Sequence, residues 1–309
     1  MIDYIVVQIN INIFILKIIL TVLKNGSNYT ALQYFFNKYS NFIWEIKMRR
    51  KNRNTKPFDF AEYPLLFGHR GCSKAAPENT LASFKKILEN KIPGVELDVH
   101  LCKSGELVVI HDLNLKRTTG KNALVAETNL KDLKKLDAGI WFDESFKGEK
   151  IPTLDEVFEL MGTNVYYDIE IKHQNRKYGE LEEKLIAKIR EWGYEDRVII
   201  SSFNPIAVLG VRKADPELNT AVIYTNWKEL PWYLRNGGGK YICKPNILKP
   251  TRYKINPFTI FLNKKIEGYT VVTWTEDDPE KAEKYINMGV DGIVTNVPED
   301  MLDMVRKRW

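Results

Sequence analysis

The sequence has few of the residues on which disulfide frameworks and structural zinc sites depend. Among its 309 residues there are three cysteines, Cys72, Cys102 and Cys243, and they lie far apart. An odd number of isolated cysteines argues against a disulfide scaffold and for a reducing compartment. The lack of a Cys-x-x-Cys pair argues against structural zinc. We therefore expect a cytoplasmic protein.

Most of the chain also lacks net charge. The whole sequence carries a net charge of +6, but residues 1–60 contain nine basic and three acidic residues, which leaves 37 of each sign in the remainder. Nucleic-acid binding depends on basic residues that neutralise phosphates. A neutral body therefore argues against a nucleic-acid partner.

The N-terminal arm, residues 1–56, differs from the rest in composition. Residues 4–23 form an apolar stretch that is long enough to span a bilayer, although polar residues interrupt it. A basic cluster at 47–56 follows, and it would keep the body on the cytoplasmic side of a membrane. We therefore predict membrane association through the arm. The alternative is that the natural start is Met48 and that the arm is not part of the working protein.

Short apolar runs that are typical of strands alternate with helical patterns from residue 64 onward. Repeated βα units of this kind predict a parallel sheet, and eight units in about 250 residues predict a closed TIM-type (β/α)8 barrel. The barrel domain is then residues 57–309. The predicted strands are 65–69, 95–99, 107–111, 165–171, 198–201, 221–224, 241–243, 269–274 and 292–294.

Nine strands are one too many for this barrel, and the surplus falls between Glu96 and His111. Only Lys103-Ser104-Gly105 joins the two strands there, which is too short for a parallel crossover. We therefore predict a hairpin that brings His111 opposite Asp98. The following segment, 112–152, is longer than an ordinary barrel loop and is predicted to be a small inserted subdomain near the active-site mouth.

Two of the four histidines end predicted strands. His69 closes Leu65-Leu66-Phe67-Gly68-His69, and His111 closes Val108-Val109-Ile110-His111. Catalytic residues of such barrels lie at the C-terminal ends of strands, so both histidines are candidate catalytic residues. His100 and His173 lie one residue off the predicted site face and are not expected to be catalytic.

Three carboxylates are predicted to meet at the same end of the barrel. Glu96 and Asp98 are two residues apart on one strand and share a face, and Glu170 lies likewise on another strand, where it shares a face with Lys172. Buried carboxylates need a partner or a cation, and carboxylate oxygens suit Mg²⁺ or Ca²⁺. The alternative is a buried salt-bridge network, such as Glu170 with Lys172.

An ordered set of short motifs resembles the glycerophosphodiester phosphodiesterase family over about residues 64–306. The motifs include Gly68-His69-Arg70-Gly71, Pro77-Glu78-Asn79-Thr80, Glu96-Leu97-Asp98-Val99, His111-Asp112, Leu136-Asp137-Ala138-Gly139, Ile169-Glu170-Ile171-Lys172 and Asp291-Gly292-Ile293-Val294-Thr295. Any one tetrapeptide is weak, whereas the ordered set is highly specific.

The resemblance implies a TIM-type barrel with an inserted subdomain after the second histidine motif. It implies that His69 and His111 are a general acid–base pair and that one divalent cation, Mg²⁺ or Ca²⁺, is held by a set of three ligands, namely Glu96, Asp98 and Glu170. It also implies that Arg70 and Lys172 bind the phosphate of a small-molecule glycerophosphodiester.

Other residues near these motifs have more ordinary interpretations. Phe203 and Trp274 follow or end predicted strands, and they are candidates for lining the alcohol pocket, with core packing as the alternative. Asn79-Thr80 is expected to cap the helix that follows.

These expectations describe an enzyme that hydrolyses glycerophosphodiesters to a glycerol phosphate and an alcohol. One alternative is a lysophospholipase D, which cuts the same bond in a lipid that keeps its acyl chain, and a membrane-bound arm would favour it. Another is a membrane-tethered protein that binds phosphodiesters without cutting them, which the complete histidine pair argues against.

Overall fold

Eight parallel strands close into a barrel in the computed structural model, which describes residues 57–172 and 178–309. The barrel order is β1-β9-β8-β7-β6-β5-β4-β2, with β2 paired back to β1, and it confirms the predicted TIM-type fold. The strands are β1 (Leu65–His69), β2 (Gly94–Leu101), β3 (Leu107–Val109), β4 (Tyr166–Ile171), β5 (Val198–Ser202), β6 (Asn219–Tyr224), β7 (Ile247–Pro250), β8 (Thr270–Thr273) and β9 (Gly292–Thr295).

Helices connect the strands, and several begin where the sequence supplies a capping side chain. The hydroxyls of Thr80 and Thr153 accept hydrogen bonds from the backbone N–H groups of Ser83 and Glu156, as N-cap residues do. The α-helices are α1 (Leu81–Glu89), α2 (Lys116–Thr119), α3 (Leu130–Leu133), α4 (Leu154–Met161), α5 (Glu180–Trp192), α6 (Pro205–Ala214), α7 (Gly239–Cys243), α8 (Pro257–Ile260), α9 (Pro279–Met288) and α10 (Pro298–Arg306). Shorter turns lie at Val125–Glu127, Glu144–Phe146, Glu195–Arg197 and Arg252–Lys254, with a π-helix at Phe261–Ile266.

Strand β3 is the surplus strand, and it forms the predicted hairpin with β2. The two strands are antiparallel, with Val99 opposite Val109. The register differs from the prediction by one residue, because the N–H of Ile110, not of His111, donates to the carbonyl of Asp98 at 3.0 Å. The prediction that His111 ends a barrel strand is therefore wrong: the hairpin, which extends beyond the barrel, carries it to the mouth.

The insert after β3 forms a small hydrophobic core of its own. Its helices α2 and α3 are each only one turn long, and they bury Leu115, Val125 and Leu133 completely. These side chains pack with Cys102 and Val108 from the β2–β3 hairpin. The bounds of the inserted subdomain, 112–152, stay a prediction, and the core of the insert is shared with the hairpin that carries His111.

The strand prediction for residues 241–243 is wrong. They belong to helix α7, and the barrel strand that follows β6 is β7, which the sequence pattern did not reveal. Lys249 and Pro250 concealed β7, because lysine and proline are both depleted in strands. The lysine is tolerated here because its ammonium pairs with Asp168 inside the barrel at 2.5 Å.

Phe58 packs against the N-terminal ends of the barrel strands, on the side opposite the mouth. Its side chain is fully buried and stacks on Tyr166 with ring centroids 5.1 Å apart, beside Leu65 and Ile247. The side-chain amide of Asn219 donates to the carbonyl of Pro57 at 2.6 Å. The described part of the chain therefore joins the barrel from its first residues.

The predictions for the N-terminal arm stay predictions. Residues 1–56, with the candidate membrane segment 4–23 and the basic cluster 47–56, lie outside the described residues, and so does His173. Within 57–172 and 178–309, none of the helices combines the length and apolar character that crossing a bilayer requires. The three cysteines are buried free thiols.

We expect Phe58→Ala to lower the free energy of unfolding by about 3–5 kcal/mol, because it removes a fully buried aromatic ring and leaves a cavity. Phe60→Ala is the matched control, since that ring is 50% exposed, and its effect should stay below about 1 kcal/mol. Urea denaturation measures both. Equal losses in the two variants would contradict the role assigned to Phe58.

Candidate active site

The C-terminal ends of the barrel strands surround a cavity of about 910 Å³. The segment that follows β3 and the loops after β5, β6 and β8 complete the wall of the cavity. The structure brings nearly all of the predicted site residues to this cavity, the exception being Asp98, which is buried just beneath it. The predicted residues in the lining are His69, Arg70, Glu96, His111, Glu170, Lys172, Phe203 and Trp274.

Glu96, Asp98 and Glu170 form a compact cluster of carboxylates. Asp98 of β2 lies beside Glu170 of β4 in the parallel register, and Glu96 follows the same face of β2. All three are buried, and each offers a carboxylate oxygen within 4.8 Å of the others. Clustered carboxylate oxygens suit a hard divalent cation.

The electrostatics of Glu96 fit a bound cation. Burial, together with the neighbouring charge of Asp98, raises the pKa of Glu96 well above its ordinary value. Its Oε2 accepts a hydrogen bond from the backbone N–H of Arg70 at 3.0 Å and lies 3.9 Å from Nε2 of His69. A further positive charge at this position would stabilise the ionised carboxylate, and a metal ion supplies one.

One lysine, Lys172, pairs with carboxylates of the same group, as the salt-bridge alternative expected. The ammonium of Lys172 lies 2.5 Å from Glu170 and 3.1 Å from Asp98. Burial lowers the pKa of Lys172, but these two carboxylates outweigh it and raise the pKa above the ordinary value. The salt-bridge network and the candidate metal site therefore share Asp98 and Glu170. Lys172 stays charged at the edge of the cavity.

Arg70 is fixed by a chain of carboxylates and a second arginine. Its guanidinium donates to Glu78 at 2.8 Å, and its Nε lies 3.4 Å from Asp98. Arg117 of the insert binds both oxygens of Glu78, at 2.7 and 2.8 Å, and also donates to Asp112. The insert thus reaches back to the β1–α1 loop and holds Arg70 against the cavity.

The orientation of His69 follows from its partner. Asn296 donates through its Nδ2 and its backbone N–H to Asp277, both at 2.8 Å, so its Oδ1 faces the imidazole. That oxygen lies 2.6 Å from Nδ1 of His69, which must therefore carry the proton. Nε2 is left with its lone pair. Burial, followed by the charge of Arg70, lowers the pKa of His69 to about 4.

His111 has a different partner. Its Nδ1 lies 2.7 Å from Oδ1 of Asp112. Partial burial would raise the pKa of Asp112, but hydrogen bonds from Arg117 and His111 lower it to about 2. The carboxylate is ionised at neutral pH, so it accepts a hydrogen bond from Nδ1–H of His111. The two imidazoles therefore have different partners, a neutral amide oxygen for His69 and a carboxylate for His111.

Three aromatic side chains form one wall of the cavity. Phe203 stacks on Trp227 with centroids 5.4 Å apart, and Trp274 meets both rings edge-on at 5.5 and 5.8 Å. The indole N–H of Trp274 donates to the carbonyl of Lys249 at 2.9 Å. Phe203 and Trp274 line this cavity. Trp227, a half-exposed neighbour that the sequence reasoning did not identify, lines it as well.

Other residues that the sequence reasoning missed support the site from behind. Asn79 does not cap α1, since Thr80 does; its side-chain amide instead donates to Asp98 at 2.8 Å. The available signal was its place in the motif Pro77-Glu78-Asn79-Thr80. Asn296 and Lys249 gave weaker signals, because a lone Asn after a strand and a Lys before a Pro are common.

Comparison with known proteins agrees with this geometry. The pattern of the glycerophosphoryl diester phosphodiesterase family matches residues 69–300. The chain is 44% identical over 244 residues to a glycerophosphodiester phosphodiesterase of Caldanaerobacter subterraneus, covering 79% of this chain and 98% of that protein. It is 33% identical to one of Bacillus altitudinis, covering 76% and 95%.

A solved structure matches the fold as well as the sequence. It is an Oleispira antarctica phosphodiesterase in complex with the product sn-glycerol-3-phosphate. The TM-score is 0.71 at 28% identity, and the match covers 78% of this chain and 96% of the other.

We expect Asn79→Asp to lower the free energy of unfolding by about 2–3 kcal/mol, because Asp98 loses a donor and gains a like charge. Aspartate tolerates the left-handed backbone that Asn79 adopts (φ 55°), so the change isolates the amide. Asn114→Asp is the control, since its bond to Asn122 is at the surface. Chemical denaturation at neutral pH compares them, and equal losses would contradict a supporting role for Asn79.

Proposed function

The chain belongs to the glycerophosphoryl diester phosphodiesterase family, and from this membership we propose that it hydrolyses glycerophosphodiesters to a glycerol phosphate and an alcohol. It is an enzyme of the phosphoric diester hydrolase class. The observation that carries the proposal is the placement of two differently oriented imidazoles and a carboxylate cluster around one cavity.

The phosphodiester is an anion that repels nucleophiles, so the site must offset its charge. We assign this task to Arg70 and Lys172, which both line the cavity. Arg70 offers a planar fork of donors, and Lys172 offers a compact positive charge. Their carboxylate partners hold both side chains in place before substrate arrives, which reduces reorganisation during the reaction.

His69 is proposed as the general base. Its Nδ1 proton is held by Asn296, and its lowered pKa keeps the ring neutral at physiological pH. Nε2 can therefore accept the proton of the attacking oxygen. That oxygen belongs either to water or to the neighbouring glycerol hydroxyl, and the second route forms a cyclic phosphate first.

His111 is proposed as the general acid. The ionised Asp112 orients the ring by accepting a hydrogen bond from Nδ1–H, and in this role Nε2–H donates its proton to the leaving alkoxide as the P–O bond breaks. Proton uptake at His69 and proton release at His111 balance over one hydrolytic cycle. Arg117 keeps Asp112 in position for this role.

Glu96, Asp98 and Glu170 are proposed to hold one divalent cation, Mg²⁺ or Ca²⁺. When bound, such a cation stabilises negative charge that develops on a non-bridging phosphate oxygen. Lys172 contacts two of these three carboxylates. We infer that Lys172 offsets part of the negative charge of Asp98 and Glu170 and keeps both carboxylates oriented. Its ammonium also faces the cavity.

Two alternatives remain distinct from this proposal. A lysophospholipase D would use the same residues on a lipid that keeps one acyl chain. A non-catalytic phosphodiester-binding protein would have no need of an acid–base pair, so the separate hydrogen-bond partners of His69 and His111 support catalysis.

His69→Ala and His111→Ala should each lower kcat by about 10²–10⁴-fold, because each removes a proton-transfer group. Steady-state kinetics on glycerophosphocholine measures this. His100→Gln is the control. The ring of His100 hydrogen-bonds to the backbone carbonyl of His111, and the variant should keep most of the parent's turnover. A histidine whose loss leaves more than about a tenth of kcat is neither acid nor base.

Mg²⁺ or Ca²⁺ should raise the melting temperature of the metal-stripped protein, because a ligand at about 100 times its Kd stabilises the folded state by about 2.7 kcal/mol. Asp98→Asn should abolish the shift, and chelator should abolish activity in the parent. Asp132→Asn is the control, since that carboxylate is 44% exposed and lies in the insert. An unchanged shift in Asp98→Asn would refute the site, whatever the activity.

Deacylated substrates should be cut with higher kcat/KM than their lyso-lipid counterparts. The aromatic wall of the cavity suits a compact head group, such as a quaternary ammonium, which binds aromatic faces. Glycerophosphocholine and lysophosphatidylcholine can be compared without detergent below the micelle threshold. A tenfold preference for the lyso-lipid, about 1.4 kcal/mol of transition-state discrimination, would move the assignment to lysophospholipase D.

A further inference from the structure

The basic residues of the barrel domain are unevenly distributed. The segment 225–268 contains nine basic residues and two acidic ones, whereas the rest of the chain from residue 61 onward contains 28 basic and 35 acidic residues. The neutrality of the body therefore conceals a charge asymmetry. Two parts of this segment, 225–238 and 251–258, follow β6 and β7 and so lie on the mouth side of the barrel; we call them the mouth face.

The mouth face also exposes large aromatic side chains. Trp232 is 77% exposed, Tyr253 74% and Phe258 72%, and Trp227 and Tyr233 are about half exposed. Isolated exposed apolar residues are ordinary, but a contiguous group marks an interaction surface. The two parts of the face are joined, because Nζ of Lys254 donates to Oδ1 of Asn236 at 2.6 Å.

Basic side chains surround these rings. Lys228, Arg235, Arg252 and Lys254 lie in the mouth face, with Glu229 as its acidic residue. Arg235 is held by the carbonyls of Leu230 and Lys228 at 2.8 and 2.6 Å. The guanidinium of Arg252 lies 4.9 Å from the ring of Tyr253. The basic side chains and the exposed rings therefore lie side by side, and these contacts hold Arg235 and Arg252 in place.

We propose that the mouth face docks on the surface of an anionic lipid bilayer. Aromatic rings with a polar edge partition into the headgroup region, and basic residues are attracted to anionic lipids there. The mouth face carries four basic residues against one acidic residue, which favours an anionic surface as its partner. The residues of this surface all belong to the barrel domain, and docking can be measured without turnover.

The charge distribution distinguishes this partner from two others. A second copy of the chain would place two basic faces against each other, which like-charge repulsion opposes. A long nucleic acid would extend over the neighbouring surface, where the chain has an acidic excess. A planar anionic surface matches the basic residues and the exposed aromatic rings that the mouth face presents together.

Docking would place the cavity at the level of the lipid head groups. Trp227 belongs to the mouth face and also stacks on Phe203 in the cavity wall. Substrates released at the membrane, or still part of it, would then have a short path to the site. This consequence rests on the proposed function, whereas the docking itself does not.

Cosedimentation of the full chain with vesicles tests the proposal. Binding should be strong to phosphatidylcholine vesicles that contain 30% phosphatidylglycerol, and weak to pure phosphatidylcholine. The double variant Lys228→Glu/Lys254→Glu should weaken binding at least about tenfold, because each basic residue near an anionic bilayer contributes roughly a fivefold factor. Its control, Lys85→Glu/Lys213→Glu, makes the same charge change on α1 and α6, and should have a smaller effect.

The aromatic contribution needs a matched pair as well. Trp232→Ala/Phe258→Ala should weaken vesicle binding by about tenfold or more, because it removes two rings from the interface. The control is Phe60→Ala/Met288→Ala, which removes side chains that are 50% and 39% exposed elsewhere. All four variants should keep the parent's turnover of a soluble glycerophosphodiester, since none lies in the site.

Oxidative footprinting of the full chain locates the contact even if residues 1–56 also bind lipid. Vesicles should protect Trp232, Tyr253 and Phe258 from hydroxyl radicals, while Phe60 stays reactive. Failure to bind anionic vesicles, or binding that leaves these three rings as reactive as in free protein, would overturn the proposal. Protection by soluble RNA or by self-association at high protein concentration, without protection by vesicles, would overturn it in favour of those partners.

Discussion

Asp98 is the group on which the rest of the site depends. It is almost completely buried, and it ionises only because Lys172, Arg70 and Asn79 surround it with positive charge and a donor. Burial opposes ionisation, and these partners outweigh it. Each partner is in turn fixed by Asp98. One carboxylate therefore connects β1, β2, β4 and the loop before α1.

The parts of this arrangement that follow strand periodicity could be predicted from the sequence. Alternation along β2 places Glu96 and Asp98 on one face, and the parallel register with β4 then brings Glu170 beside them. The barrel was predictable for another reason, because its strands are short apolar runs that alternate with helical patterns. Strand β7 escaped detection because its inward residue is Lys249, whose cost is offset by Asp168, a partner distant in sequence.

Contacts between distant segments could not be predicted in this way. The bond from Asn296 to His69 joins residues 227 positions apart, and neither residue type indicates the other. The pairing of Arg117 with Glu78 depends on how the insert folds back, which local patterns do not encode. Motif resemblance located the candidate catalytic histidines, whereas their different hydrogen-bond partners, Asn296 and Asp112, emerged only from the three-dimensional arrangement.

The hairpin that carries His111 belongs to a folding unit with its own buried core, outside the closed ring of strands. The two histidines that we propose as proton-transfer groups are therefore carried by separate parts of the structure, His69 by the barrel and His111 by the attached hairpin and insert. Sequence changes inside that folding unit can shift one histidine relative to the other without disturbing the barrel. Such an architecture allows evolution to adjust the position of His111, the proposed general acid, separately from that of His69, the proposed general base.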